Sequence, residues 1–278
     1  MSIKDITIII ASFKSDEKVK KCLNSINDQC KVIVVENSNN LEFKKNFEDK
    51  YDNVECIIAG DNLGYGRANN LALKKIKTKY ALILNPDTIL NKSTLDEFIK
   101  ATELLPDFAI LAPKEQSEYG KISNDNEFES VNSVKGFAMF LNLSKFQDIG
   151  YFDENFFLYF EDIDLCRRLK KKNKKIYLIS NLKITHLGAQ SSDENIYWER
   201  ELTRNWHWMW STFTFHKKYN GYVLALLISL PKLFSSIFKI LIYVILNNKN
   251  KKEIYCKRYS GLINAILGKN SWYRPKIT

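Results

Sequence analysis

The chain has 278 residues, 45% of them apolar and 27% charged, with 10 Gly and 5 Pro. This is the composition of one large folded domain, or of a domain with an appendage; it excludes disordered, collagen-like and low-complexity chains. Lys and Arg number 42 against 32 Asp and Glu, a net charge of +10. Residues 217–278 alone carry +11, so everything before them nets −1. A near-neutral body with a basic tail is not the pattern of a nucleic-acid-binding domain, whose basic side chains line a face of the fold itself. It fits a tail that meets an anionic surface. The five cysteines, Cys22, Cys30, Cys56, Cys166 and Cys256, are widely spaced and form no C-x-x-C pair. They predict reduced thiols in a cytoplasmic protein. The opening MSIKDITIII lacks a basic leader and a cleavage site, so no signal peptide is expected.

In chain order, Ile6–Ala11 is a short β-branched apolar run, predicting a strand buried on both faces. A polar amphipathic stretch follows to about Ile26, and then a second strand at Lys31–Glu36. Val54–Ala59 predicts a third strand, Arg67–Lys77 a helix, and Tyr80–Leu84 a fourth strand that runs into NPDT. Ser93–Leu104 reads as a helix, with Ser93 as N-cap and Asp96 completing a capping box. Strands alternating with helices imply right-handed crossovers and a mostly parallel α/β sheet covered on both sides. In such sheets ligands bind beyond the carboxyl ends of the strands, so Ser12, Glu36 and Asn85–Asp87 are expected on one rim. After Pro113 the rhythm changes: a strand at Val134–Leu141, the run GYFDENFFLYFEDIDLCRRL, a basic loop at 170–175, and short strands around Ile176 and Ile184. Four of the five Trp lie within 198–210, and Tyr222–Leu246 is almost continuously apolar.

Three features carry chemistry. Asp87 stands just past a buried strand, where a carboxylate can hold a divalent cation against a diphosphate; a simple Asn-Pro-Asp turn is the plainer alternative. Glu161, Asp162 and Asp164 cluster behind the aromatic run FFLYF. A helix starting there would favour acids in its first turn, while partly apolar surroundings are what raise the pKa of a general base. His186, in ITHLGAQS, ends a short strand before a Gly-containing loop. Asn62-Leu63-Gly64-Tyr65-Gly66 is a weak phosphate-loop pattern, because Asn69 stands where a third Gly would complete it.

In this order, the pieces ITIIIASFKS, VVENSNN, NLGYGRANNLAL, LNPDT and FLYFEDIDLCRRL…THLGAQS resemble the family 2 glycosyltransferases of the GT-A fold. The similarity is to the bacterial rhamnosyltransferase-like branch, and it runs over roughly residues 3–220. The resemblance implies a Rossmann-like, mostly parallel sheet flanked by helices. It implies Ser12, Glu36, Asn37, Gly64, Asn70 and Asp87 around the nucleotide sugar, Asp87 and His186 at a Mg²⁺ or Mn²⁺ ion, and Asp162 as catalytic base. Glu36 stands where the family usually has Asp, and Asn85 where it has a first acid. The implied reaction is inverting transfer from a dTDP- or UDP-sugar to a hydroxyl of a lipid-linked or oligosaccharide acceptor, in surface polysaccharide synthesis. A nucleotidyltransferase would want a Gly-rich basic loop after the first strand, and ASFKSDEK lacks it. A non-catalytic glycan- or membrane-binding module with a degenerate site is the other alternative.

The expected organisation is a GT-A domain over 1–218 and a basic, apolar helical extension over 219–278. Residues 222–246 are long enough to span a bilayer, but Pro231, Lys232 and Lys239 near the middle argue against a clean span. Helices lying on the inner face of the membrane, followed by Lys249, Lys251, Lys252, Lys257 and Arg258, fit better, which predicts a cytoplasmic protein peripheral to the inner membrane. A homodimerisation lobe is the alternative.

Overall fold

The computed structural model describes residues 2–114, 127–186 and 196–275. The chain forms two compact units, Met1–Phe152 with Asp162–Asp193, and Asp153–Glu161 with Glu194–Thr278. In the first unit the elements follow as β1 (Ile6–Ser12), α1 (Asp16–Asn24), β2 (Lys31–Glu36), α2 (Leu41–Glu48), β3 (Val54–Ile58), α3 (Gly64–Leu73), β4 (Tyr80–Leu84), β5 (Thr88–Leu90), α4 (Thr94–Leu104), β6 (Phe108–Pro113), β7 (Phe128–Ser130), β8 (Ala138–Asn142), α5 (Glu161–Lys171), β9 (Lys175–Ile179) and β10 (Ile184–His186).

Eight strands form one sheet in the order β3-β2-β1-β4-β8-β6-β9-β7, and β10 pairs with β5 in a separate ribbon. The β1, β2, β3 and β4 pairings are parallel, whereas β8 runs antiparallel between β4 and β6. The two faces of β1 show why its run is wholly apolar. Ile6, Ile8 and Ile10 pack with Val19 and Cys22 of α1, Phe43 of α2 and Phe98 of α4. Ile9 faces the other layer, with Ala68 and Ala72 of α3 and Leu165 and Leu169 of α5. A strand covered on both faces has no polar side to alternate with.

Local differences from the sequence expectation have local causes. Helix α3 starts at Gly64, three residues early, because the left-handed Gly64 (φ +74°) lets the chain turn straight into it. The capping box at Ser93 does not form; instead the Asn91 N–H donates to Thr94 Oγ1 at 2.9 Å. Helix α2 was not anticipated, although Asn40 caps it by accepting from Phe43 N at 3.0 Å.

The second unit holds α6 (Tyr197–Asn220), α7 (Tyr222–Ile245) and α8 (Lys249–Ile266). The expected division at 218 differs from the observed one because α6 belongs with the C-terminal helices. Trp206, Met209, Trp210 and Phe213 of α6 share a core with Phe156, Ala225, Leu262 and Tyr273. Gly261 permits the crossing of α6 and α8: a Cβ there would lie 2.2 Å from the Trp206 carbonyl oxygen. Among α6 residues, His207 is fully buried, with its Nε2 2.8 Å from the Tyr273 carbonyl, and burial drives its pKa down to about 3.

Helix α7 is continuous through Pro231 and is the one described helix long and apolar enough to cross a membrane. Its small residues Ala225, Ser229 and Ser236 are buried, while Val223, Leu227, Phe234, Phe238, Leu241 and Ile245 make one exposed stripe at helical spacing. Lys239 is absent from that stripe; its Nζ meets Tyr255 Oη of α8 at 3.0 Å. The segment entering α5 also lies in this unit. Tyr159 and Phe160 are both left-handed, at φ +69° and +70°. Ser211 Oγ donates to the Leu158 carbonyl at 2.8 Å and Arg204 Nε to Tyr159 Oη at 2.7 Å, which holds a conformation L-residues avoid.

Candidate active site

Strand order reverses at β1, which has β2 on one side and β4 on the other, so the crevice opens beyond the carboxyl ends of these strands. Ser12 ends β1, buried, with its Oγ 2.9 Å from Ser15 Oγ. Asn37 follows β2; its N–H donates to the Ser12 carbonyl at 2.9 Å, and its Oδ1 accepts from Leu63 N at 3.3 Å. Asn37 therefore ties the end of β2 to the loop containing Gly64, whose own N–H meets Asn62 Oδ1 at 3.1 Å.

Two of the expected nucleotide contacts are engaged in building the rim. Glu36 accepts from Ser38 N at 2.8 Å, from Ser38 Oγ, and from Asn40 N at 2.8 Å, so its carboxylate is turned into its own loop. Asn70 is buried in a reciprocal pair with the Phe152 backbone, donating at 2.9 Å and accepting at 3.0 Å. That amide joins α3 to the chain before α5. Its place in the sequence pattern resembles a ligand contact; its bonds are those of a structural clamp.

Asp87 and His186, 99 positions apart, are brought together. The antiparallel pairing of β10 with β5 sets His186 opposite Thr88, and His186 Nε2 lies 3.5 Å from Asp87 Oδ1. Asp87 is 2% exposed, and among the described residues neither of its carboxylate oxygens has a hydrogen-bond partner. A buried carboxylate normally collects donors, because losing its hydration costs several kcal/mol. This pair of bare oxygens beside an imidazole has the chemistry of a cation site. Among the described residues no group of three or more His, Cys, Asp and Glu comes together, and Asp87 with His186 is the pair placed here. Cys22 Sγ approaches the Asn85 carbonyl at 4.0 Å, and burial with the Asp87 charge pushes its thiol up to about 12, which makes it inert. The remainder of the motif begun at His186, residues 187–191, lies outside the described residues.

Asp162 is the second residue of α5. Its Oδ2 accepts from Gly136 N at 3.0 Å and its Oδ1 from Ile163 N at 2.8 Å. Loss of solvent raises its pKa above the ordinary carboxylate value, against the opposing pull of those N–H groups and of Lys135. Asp164 does something else. It is fully buried and receives Arg168 Nε at 2.8 Å, while the same guanidinium donates to the carbonyls of Ile149 and Tyr151. It anchors the loop before α5.

Sequence reasoning missed the residues between these two centres. Gly136 donates to Asp162 and accepts from Tyr65 Oη. The Phe137 carbonyl accepts from Asn85 N at 2.9 Å, and the Phe137 ring stacks on His186 at 4.5 Å between centroids. No local pattern announces this, since the partners lie about 25–70 positions apart. A cavity of about 370 Å³ lined by Ile3, Ser25, Leu90 and Leu95 is elsewhere, beside the chain entering β1, and holds none of these groups.

Comparison with known proteins gives the family and the fold. The sequence model of glycosyl transferase family 2 matches residues 7–167. The chain is similar to the low-salt glycan biosynthesis hexosyltransferase Agl10 of Haloferax volcanii, 26% identical over 198 residues. That match covers 62% of this chain and 64% of the relative, so it spans less than two-thirds of the relative's length. It is also similar to rhamnosyltransferase WbbL of Escherichia coli K12, 26% identical over 247 residues, 75% of this chain and 91% of that one. Among solved structures, mannosyltransferase PcManGT from Pyrobaculum calidifontis, solved with GDP-Man and Mn²⁺, superposes with a TM-score of 0.62 over 96% of this chain and 88% of that chain. At 10% identity that likeness concerns the fold.

Proposed function

The chain belongs to glycosyl transferase family 2, and from that premise we propose that it moves a sugar, with inversion, from a nucleoside diphosphate donor to a hydroxyl of a lipid-linked glycan. The observation that carries the reading is the pairing of two unlike carboxylates on one nucleotide-binding sheet. Asp87 is bare, buried and beside His186, as a metal ligand should be. Asp162 is held by two backbone N–H groups with its pKa raised, as a base should be.

Asp87 and His186 would hold a divalent cation, Mg²⁺ or Mn²⁺, which neutralises the departing nucleoside diphosphate. The complex of a fold neighbour with GDP-Man and Mn²⁺ supports a divalent cation alongside a nucleotide sugar. The rim formed by Ser12, Asn37 and the Gly64 loop receives the nucleotide. Asp162 takes the proton from the acceptor hydroxyl as its oxygen attacks the anomeric carbon; the new glycosidic bond forms on the face opposite the breaking bond to the diphosphate. The first experiment is turnover with dTDP-rhamnose, UDP-glucose, UDP-N-acetylglucosamine and GDP-mannose in Mn²⁺, scored as released nucleoside diphosphate. Release with at least one donor, abolished by EDTA, is expected. A chain that binds glycan yet releases nothing from any donor is a binding module instead.

The proposal includes a cytoplasmic location at the inner face of a membrane. Support comes from the apolar stripe of α7 and the exposed Lys249, Lys251 and Lys252 that follow it. One side of α7 packs on α6 and α8, and Lys239 is tied to α8, so the helix would lie in the interface plane. The intact chain is expected to sediment with phosphatidylglycerol vesicles, and the Phe234→Glu/Phe238→Glu variant to remain in the supernatant. Both side chains are about two-thirds exposed, 65% and 64%, so the fold should tolerate the change. Equal sedimentation of the two proteins would refute the membrane assignment, and a dimer broken by the double variant would give this face to a second copy of the chain.

A further inference from the structure

Four residues, Val134–Phe137, lead into β8, and two of them touch both halves of the site. On one side the Gly136 N–H donates to Asp162 Oδ2 at 3.0 Å. On the other, the Phe137 carbonyl accepts from Asn85 N at 2.9 Å and from Thr88 Oγ1 at 3.4 Å, on either side of Asp87. The Phe137 ring lies nearly parallel to the His186 imidazole, with an interplanar angle of 8°. Gly136 itself is gripped from behind: its carbonyl accepts from Tyr65 Oη on α3, and Tyr65 packs edge-on against Phe152 at 5.7 Å. A Cβ on Gly136 would stand 3.1 Å from that hydroxyl and 3.4 Å from the ring, so the position admits glycine most easily.

We propose that Gly136-Phe137 is a positioning tether between the two carboxylates, and that Tyr65, acting through the Gly136 carbonyl, sets the orientation in which Asp162 meets the acceptor. The inference rests on the reading of Asp162 as base. Tyr65 is a positioning residue: it touches the backbone that touches the base. The effect has a mechanism. An N–H donated to a carboxylate favours its charged form and fixes the direction of its free lone pairs. A general base that drifts from the line of the hydroxyl loses rate without losing donor affinity. Charged and titratable groups that act on Asp162 include Lys135, on the same segment, and Cys166, one turn along α5. Burial pushes the Cys166 thiol up to about 12, so it stays uncharged across the range that matters.

The test is Tyr65→Phe, which removes the hydroxyl and leaves the ring in place. Asp162 is titrated by NMR in protein carrying ¹³C in its aspartate carboxyls, its resonance identified by its loss in Asp162→Asn. With the Gly136 N–H released, its pKa should rise further, by about one unit, a tenfold change in the ionisation equilibrium. Turnover of whichever donor the wild-type chain uses should show kcat down about tenfold with KM for the donor unchanged. Gly136→Ala, which displaces the Tyr65 hydroxyl sterically, should shift both readouts the same way in the wild-type background and add nothing to Tyr65→Phe. An Asp162 titration in Tyr65→Phe that overlays the wild type overturns the tether. Failure of every donor in the wild-type chain would strike the transferase reading instead, and the carboxyl titration would still decide the tether.

Discussion

Asp162→Asn should cost between about 10² and 10⁴ in transfer rate and leave metal-dependent nucleotide binding intact. Asparagine keeps the planar shape and the acceptor oxygen for one backbone N–H, and removes the charge that takes the proton. The loss is assigned to chemistry by its neighbour. Asp164→Asn breaks a buried ion pair with Arg168, which fastens the loop at Ile149–Tyr151. It should lower thermal stability by about 1–3 kcal/mol, less than a fully buried pair because Arg168 is partly exposed, with little change in rate per folded molecule. The pH dependence has a defined sign. As the proposed base Asp162 would work as the carboxylate, and its pKa is raised, so the rate should fall on the acid side at a pH above the ordinary carboxylate range. That acid limb should disappear in Asp162→Asn. A rate within a few-fold of wild type for Asp162→Asn, with Glu161→Gln inactive, would move the base one residue back.

How much of this could be read from the sequence depended on how local each signal was. The strands β1, β2 and β4 are visible because burial on both faces demands an unbroken apolar run, and nothing else in a short segment produces one. From their alternation with helices the parallel sheet follows, and from the sheet the rim. The placement of Asp87 beside His186 was legible only through the resemblance to a family. No periodicity links position 87 to 186; the ribbon of β5 and β10 does, and each of its strands has three residues. Glu36 and Asn70 show what a sequence pattern leaves out. Their positions resemble ligand contacts, but the sequence cannot say how many of a side chain's bonds are already used by its own loop. The division expected at 218 differs from the two compact units for a physical reason too. The Trp-rich stretch reads as the end of one unit, whereas Trp206, Trp210 and Phe213 are the core of the next. Gly136 and Tyr65 were silent because a backbone N–H and a hydroxyl carry no pattern.

The largest effect on binding is expected at Asp87. Its two oxygens are buried and accept no hydrogen bond among the described residues, and an imidazole nitrogen of His186 lies 3.5 Å from one of them. Such a carboxylate destabilises the chain by itself, and a cation bound there would offset that cost, so one residue should govern two observables of opposite sign. With Mn²⁺ and a nucleoside diphosphate present at about 100 times Kd, the wild-type protein should gain about 2.7 kcal/mol of stability, the mass-action value, and Asp87→Ala should gain none of the metal-dependent part. Without metal the order should reverse, with Asp87→Ala at least as stable as the wild type, because the substitution removes an uncompensated buried charge. A purely structural turn acid behaves differently: its loss lowers the melting temperature in every buffer. Calorimetry separates the cases. Nucleotide affinity in the wild type that is the same in Mn²⁺ and in EDTA, or an Asp87→Ala protein that keeps a metal-dependent component, would show that the bare carboxylate is not the metal ligand.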